Sequence, residues 1–237
     1  MQKVIHRSDS RGLAQHGWLT SRHTFSFANY YNPERQNFGV LRVLNDDIVA
    51  GGMGFGTHPH DNMEIISIPL QGILEHKDNM GTTAVIHAND VQIMSAGTGV
   101  QHSEYNHSKT DTVNFLQIWV FPKLKNIKPR YDQKTFLPEE RKNQLKVVIS
   151  PEKNDSTIWI NQDAYFSLGN FDAGNEQNYT IKIKGNGLYI FVLEGEAEID
   201  GEVLNRRDAI GLPELDQVKI KANKNTEVLV MEIPMEV

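Results

Sequence analysis

Ile66-Ser67-Ile68-Pro69-Leu70-Gln71-Gly72-Ile73-Leu74-Glu75 and Tyr189-Ile190-Phe191-Val192-Leu193-Glu194-Gly195-Glu196-Ala197-Glu198 carry one pattern twice, an apolar strand, a glycine and another strand. They read as one β-unit present in each half of the chain. Around the first copy lie Gly39-Val40-Leu41-Arg42-Val43-Leu44, Ala84-Val85-Ile86 and Asn114-Phe115-Leu116-Gln117-Ile118-Trp119-Val120-Phe121. Around the second lie Leu145-Lys146-Val147-Val148-Ile149, Asp163-Ala164-Tyr165-Phe166-Ser167-Leu168-Gly169 and Val228-Leu229-Val230-Met231-Glu232-Ile233. Asn45-Asp46-Asp47, Asn79-Met80-Gly81 and Ala96-Gly97-Thr98-Gly99 punctuate the strands as turns, and many short strands with such turns argue for sandwiches or barrels. Helix patterns are scarce, the best being Pro138-Glu139-Glu140-Arg141 with proline suited to a first turn. The chain is expected to be all-β: two β-barrels packed face to face, residues 1–122 and 135–237, joined by a linker over 123–134.

At 237 residues, with 39% hydrophobic and 23% charged residues, the chain can bury two modest cores and is neither disordered nor fibrous. No apolar run approaches the roughly 18 residues of a membrane span, and Met1–Ser8 carries no signal-like apolar segment, so no membrane association and a cytoplasmic location are expected. A net charge of −6 disfavours the phosphate-neutralising surface of a nucleic-acid binder. The basic cluster Lys123, Lys125, Lys128, Arg130 and Lys134 reads as a solvated linker.

There is no cysteine, so any metal must be held by nitrogen and oxygen. The segment Gly51-Gly52-Met53-Gly54-Phe55-Gly56-Thr57-His58-Pro59-His60 supplies the first candidates. In a strand, residues i and i+2 share a face with Cα atoms about 6.6 Å apart, so His58 and His60 can converge on one ion. His102-Ser103-Glu104 repeats the spacing after the glycine-rich turn. If the two strands face each other across a barrel, His58, His60, His102 and Glu104 form a four-ligand site. Such a site leaves open positions on a six-coordinate ion, which suits catalysis. Three neutral imidazoles and one carboxylate on a divalent ion leave a charge near +1, favouring an anionic ligand such as an enolate. The glycines do not fit dinucleotide-loop spacing and no helix pattern follows them.

Among the other histidines, His76, beside a strand, reads as a hydrogen-bonded or exposed residue, with reaching the pocket as the alternative. His16 and His23, near Trp18, Phe25 and Phe27, read as packing that caps the barrel, with rimming the pocket as the alternative. His6, His87 and His107 read as surface residues. Residues 108–237 contain no histidine, so the second barrel is expected to carry no metal.

The phrases His16-Gly17-Trp18-Leu19, Ser21-Arg22-His23-Thr24-Phe25-Ser26-Phe27, Leu41-Arg42-Val43-Leu44-Asn45-Asp46-Asp47, Gly54-Phe55-Gly56-Thr57-His58-Pro59-His60, Leu74-Glu75-His76-Lys77-Asp78 and Met94-Ser95-Ala96-Gly97-Thr98-Gly99-Val100-Gln101-His102-Ser103-Glu104 resemble the pirin family of the cupin superfamily, most closely its bacterial quercetinase-like members. They cover most of residues 11–121; the second half resembles the family only in its strand pattern. The resemblance implies a bicupin in which His58, His60, His102 and Glu104 hold the metal. Iron is the usual ion, and manganese, nickel, copper and zinc are compatible with the donors. It implies a dioxygenase that cleaves flavonols such as quercetin with dioxygen, Glu104 being the catalytic carboxylate. A regulatory role through protein partners is the alternative. The general cupin pattern would offer Glu64 as an acidic ligand; the pirin-like arrangement leaves it a supporting or structural residue.

Overall fold

The structure is a computed structural model and describes residues 2–237. Two seven-stranded sheets and two four-stranded sheets build two barrels. In the first barrel the large sheet runs Arg130–Thr135, Asp90–Ser95, Glu64–Gln71, Val113–Val120, Leu41–Val49, Leu19–His23 and Gly12–Gln15, and the small sheet runs Gly54–His60, Val100–Asn106, Ile73–Asp78 and Thr83–His87. In the second barrel the large sheet runs Val4–His6, Ala209–Leu212, Asn186–Glu194, Thr226–Pro234, Tyr165–Phe171, Leu145–Ser150 and Ile158–Trp159. Its small sheet runs Glu176–Thr180, Gln217–Ala222, Glu196–Ile199 and Glu202–Asn205. The helix signal at Pro138 is a single 3-10 turn, Pro138–Arg141.

The repeated phrases occupy equivalent places. Gly72 and Gly195 each carry the chain from a large sheet to a small one, with φ of 81° and 84°. That left-handed conformation favours glycine. A Cβ on Gly195 would lie 2.1 Å from the Asn225 carbonyl oxygen, and one on Gly72 2.9 Å from that of Thr112. At both points the chain passes against the start of the neighbouring strand.

The barrels meet through their large sheets. Alternation puts one face of each strand inside its barrel and the other against the partner sheet. Phe25, Ile66 and Ile118 of the first half thereby share one buried cluster with Phe166, Phe191 and Met231 of the second. Each such side chain contributes roughly 1.5 to 3 kcal/mol of transfer free energy, so separating the barrels would be costly.

The edges of the large sheets cross the boundaries expected from sequence. Val4–His6 pairs with Ala209–Leu212 in the second barrel. Arg130–Thr135, which spans the end of the segment expected to be a linker, pairs with Asp90–Ser95 in the first. Each covers a sheet edge that would otherwise present unpaired backbone groups. Three of the five residues of the basic cluster are likewise engaged. Lys123 pairs with Asp163 at 2.8 Å, the Arg130 guanidinium lies over the Trp159 ring, and Lys134 donates to the Asp155 carbonyl. His6 is also not a surface residue: it is buried between the barrels, with Nδ1 2.7 Å from the Tyr189 hydroxyl.

Candidate metal centre

Gly54–His60 and Val100–Asn106 are hydrogen-bonded antiparallel neighbours, rather than strands facing across the barrel. His58 stands directly opposite His102, with ring centroids 4.5 Å apart, and His60 completes a triangle at 4.8 Å from His58 and 5.0 Å from His102. The register shifts between His102 and Glu104, so that Glu104 faces Phe55. One extra residue on the His58 strand makes this a β-bulge, which turns Phe55 inward against Trp18 while keeping both histidines on the inner face. Gly54 makes the kink possible: its Cβ would sit 2.3 Å from the Glu104 carbonyl oxygen.

The imidazoles present free nitrogens toward one another. His58 Nδ1 donates to its own strand at the Gly56 carbonyl, 2.8 Å away, which leaves Nε2 as the lone pair. The Nε2 atoms of His60 and His102 are buried without a hydrogen-bond partner. Burial, with the neighbouring His102 and His58 rings adding to it, pushes His60 down to about 4; burial, with His58 and His76, pushes His102 down to about 3. Both are therefore neutral at pH 7, the form that binds a metal. Orphaned buried nitrogens normally carry a desolvation cost, and a cation between them removes it. The donors fit a divalent transition metal.

Glu104 is 2% exposed and reaches toward the same region from one turn of the strand pleat deeper. Its Oε1 accepts from Ser67 Oγ and its Oε2 from Gln117 Nε2, both at 2.7 Å. The structure gathers the three expected histidines in one trio and places Glu104 in a second, overlapping one that His76, not an expected ligand, completes. The donor atoms of His58, His60 and His102 lie within 4.8 Å of one another, and so do those of His76, His102 and Glu104. His76 is 1% exposed and hydrogen-bonded to Asp78 at 3.0 Å, the hydrogen-bonded of its two expected states. Glu64 faces away from the site into the contact between barrels, accepting from Ser95 Oγ and from the Asn161 backbone. His23 packs on Phe27, Phe27 on Trp119, and Trp119 edge-on to His60 at 4.9 Å, so the aromatic segment both packs and rims the histidines. His87 and His107 are exposed.

Ser67, Gln117 and Asp78 escaped the sequence reading. The available signal was modest: Ser67 and Gln117 are polar residues inside apolar strands, at positions facing the barrel interior.

Aligning Gly72 on Gly195 sets His76 against Ile199. The strand pairings then set Glu104 against Ile220, His102 against Val218 and His58 against Tyr179. These belong to a buried apolar cluster, and the Tyr179 hydroxyl donates to Glu232 at 2.8 Å. The second barrel is filled where the first is polar.

Paired β-barrels of the cupin type, one with a histidine cluster and one packed solid, define the class. The Pirin family model matches residues 6–120, and the model described as the quercetinase C-terminal cupin domain matches residues 147–233. A protein of Escherichia coli (strain K12) named quercetin 2,3-dioxygenase is 39% identical over 97% of this chain and 98% of its own. A pirin-like protein of Caulobacter vibrioides is 36% identical over 94% of this chain and 96% of its own. The crystal structure of the bacterial pirin YhhW from Escherichia coli in complex with nickel(II) covers 100% of both chains with a TM-score of 0.93 at 37% identity. The chain belongs to the pirin family. Among the described residues, no helix is long and apolar enough to cross a membrane.

Proposed function

We propose that this protein is a metal-dependent dioxygenase that opens flavonols such as quercetin, with His58, His60, His102 and Glu104 as ligands of one divalent ion. The observation that carries the reading is the convergence of three imidazoles, those of His60 and His102 neutral and with orphaned Nε2 atoms, beside a buried carboxylate. Relatives named quercetin 2,3-dioxygenase, aligned along nearly the whole chain, supply the reaction class. Our assignment for the ion in the cell is iron(II), although the same donors accept manganese, nickel, copper or zinc.

An ion held there supplies Lewis acidity toward the substrate's 3-oxygen and a partner for dioxygen chemistry. The chain's own residues bind and move the proton. Glu104 is the acceptor for the 3-hydroxyl proton, a positioned transfer worth roughly 10²- to 10⁴-fold. Ser67 and Gln117 grip its two oxygens and fix the rotamer from which it acts. Trp119 flanks His60 and, with Phe27 packed on it, offers an apolar face to a planar aromatic substrate.

The test is oxygen uptake under air by protein loaded in turn with each of the five metals, with quercetin as substrate. The expected result is equimolar loss of quercetin and dioxygen, with carbon monoxide and the ring-opened ester as products. Fully metallated protein that leaves quercetin intact would contradict the proposal.

A further inference from the structure

The motif Leu74-Glu75-His76-Lys77-Asp78 has no part in the proposed ligand set, yet it forms a buried chain that ends on one of the ligands. Asp78 is anchored by its turn, Oδ1 accepting from the backbone N–H of Met80 at 2.9 Å and of Thr82 at 3.0 Å. Its Oδ2 lies 3.0 Å from His76 Nε2, with both side chains fully buried. His76 Nδ1 lies 3.5 Å from His102 Nδ1. The Tyr131 ring, 4.7 Å from the His76 ring, holds it from one side and is itself tethered through its hydroxyl to Gln133.

Hydrogen-bond valence gives this chain a direction. An ionised carboxylate only accepts, so His76 donates to it from Nε2, and as a neutral imidazole it then presents a lone pair at Nδ1. The contact with His102 then requires His102 to donate from Nδ1. That leaves the His102 lone pair on Nε2, the buried atom without a partner that faces His58 and His60. In the opposite tautomer, His102 would aim an N–H at the ion and could not bind it.

We propose that His76 and Asp78 are positioning residues that hold His102 in its Nδ1–H tautomer and thereby set the metal affinity of the centre. His58 reaches the same state more cheaply, through the Gly56 carbonyl of its own strand. A buried histidine cannot rely on solvent to complete its hydrogen bonding, and here an imidazole backed by a carboxylate replaces the more usual carbonyl or carboxylate. The inference rests on the ligand assignment above, and not on the substrate.

The test has two arms. In metal-free wild-type protein, long-range ¹H–¹⁵N spectra of the imidazoles read the tautomer directly, and His102 is expected to be protonated on Nδ1; protonation on Nε2 overturns the proposal. In the second arm, nickel(II) affinity is measured by competition with a chromophoric chelator for wild type, H76F, H76Q, D78N and H58A, with thermal unfolding run alongside. H76F removes the acceptor and should weaken nickel about 10- to 100-fold, the usual cost of losing such a supporting contact. H76Q can accept from His102 and donate to Asp78, and should stay within a few-fold of wild type. D78N should fall between. An unchanged H76F, or an H76Q that falls as far as H76F while remaining folded, overturns the positioning role. If H58A binds nickel as tightly as wild type, the ligand assignment fails instead; if H76F also abolishes binding, the ion belongs to the trio of His76, His102 and Glu104, which overturns both.

Discussion

His58 and His102 are a cross-strand pair, directly opposite on hydrogen-bonded neighbours, with ring centroids 4.5 Å apart. Side chains so placed are held by the sheet itself, so the centre should be preformed before the ion arrives. Replacing His58 or His102 by alanine is expected to lower metal affinity by more than about 100-fold, beyond the loss of a supporting contact. The metal-free H58A protein should lose less than about 1 kcal/mol of stability, because its half-buried ring makes one local hydrogen bond. Elemental analysis of purified variants, with denaturant unfolding, checks both statements.

Glu104→Gln separates binding from proton transfer. The variant keeps the side chain's size and one oxygen donor, and Gln117 can turn its amide to accept from the new NH₂, since its Oε1 is unpartnered. Metal content should remain within a few-fold of wild type while turnover of quercetin falls roughly 10²- to 10⁴-fold. Parallel losses of metal and turnover would assign Glu104 to ligation alone.

Much of this was legible in the sequence because strand parity is a strong constraint. His58 with His60, and His102 with Glu104, had to share a face in any strand, and the repeated strand-glycine-strand phrase marked both barrels. Parity could not give the neighbour relation between the two strands, nor the bulge that sets Phe55 rather than Gly56 opposite Glu104. Edge strands were also hidden. Val4–His6 is only three residues long and Arg130–Thr135 is almost wholly polar, and only long-range pairing to Ala209–Leu212 and Asp90–Ser95 makes them strands. His6 looked like a surface residue because its burial is created by the second barrel's Tyr189.

The repeat makes a stability prediction. Gly72→Ala and Gly195→Ala each force a side chain into the left-handed region, at roughly 1 to 3 kcal/mol. Gly195→Ala should cost more, because its Cβ would meet the Asn225 carbonyl at 2.1 Å against 2.9 Å to Thr112 for Gly72. Urea unfolding of the two variants should rank them in that order.

Glu64 predicts a pH dependence. Burial between the barrels, only partly offset by its bonds from Ser95 and Asn161, pushes its carboxyl up to about 7 from 4.5. Between these values the folded protein holds a proton that the unfolded chain has released, so this group's contribution is complete below about pH 4.5 and is lost as pH rises through 7. Glu64→Gln removes that loss. Relative to wild type, the variant should gain stability from pH 5 to pH 8, by an amount on the order of 3 kcal/mol. Denaturation midpoints at the two pH values check the sign, and a constant difference between the proteins would refute it.

The most direct measurement is anomalous diffraction from crystals of this protein soaked in nickel(II), because it locates the ion without reference to any substrate. The account predicts one peak, bonded to the Nε2 atoms of His58, His60 and His102 and approached by a Glu104 oxygen, with none in the second barrel. A peak held by His76, His102 and Glu104 without His58 and His60 would contradict it.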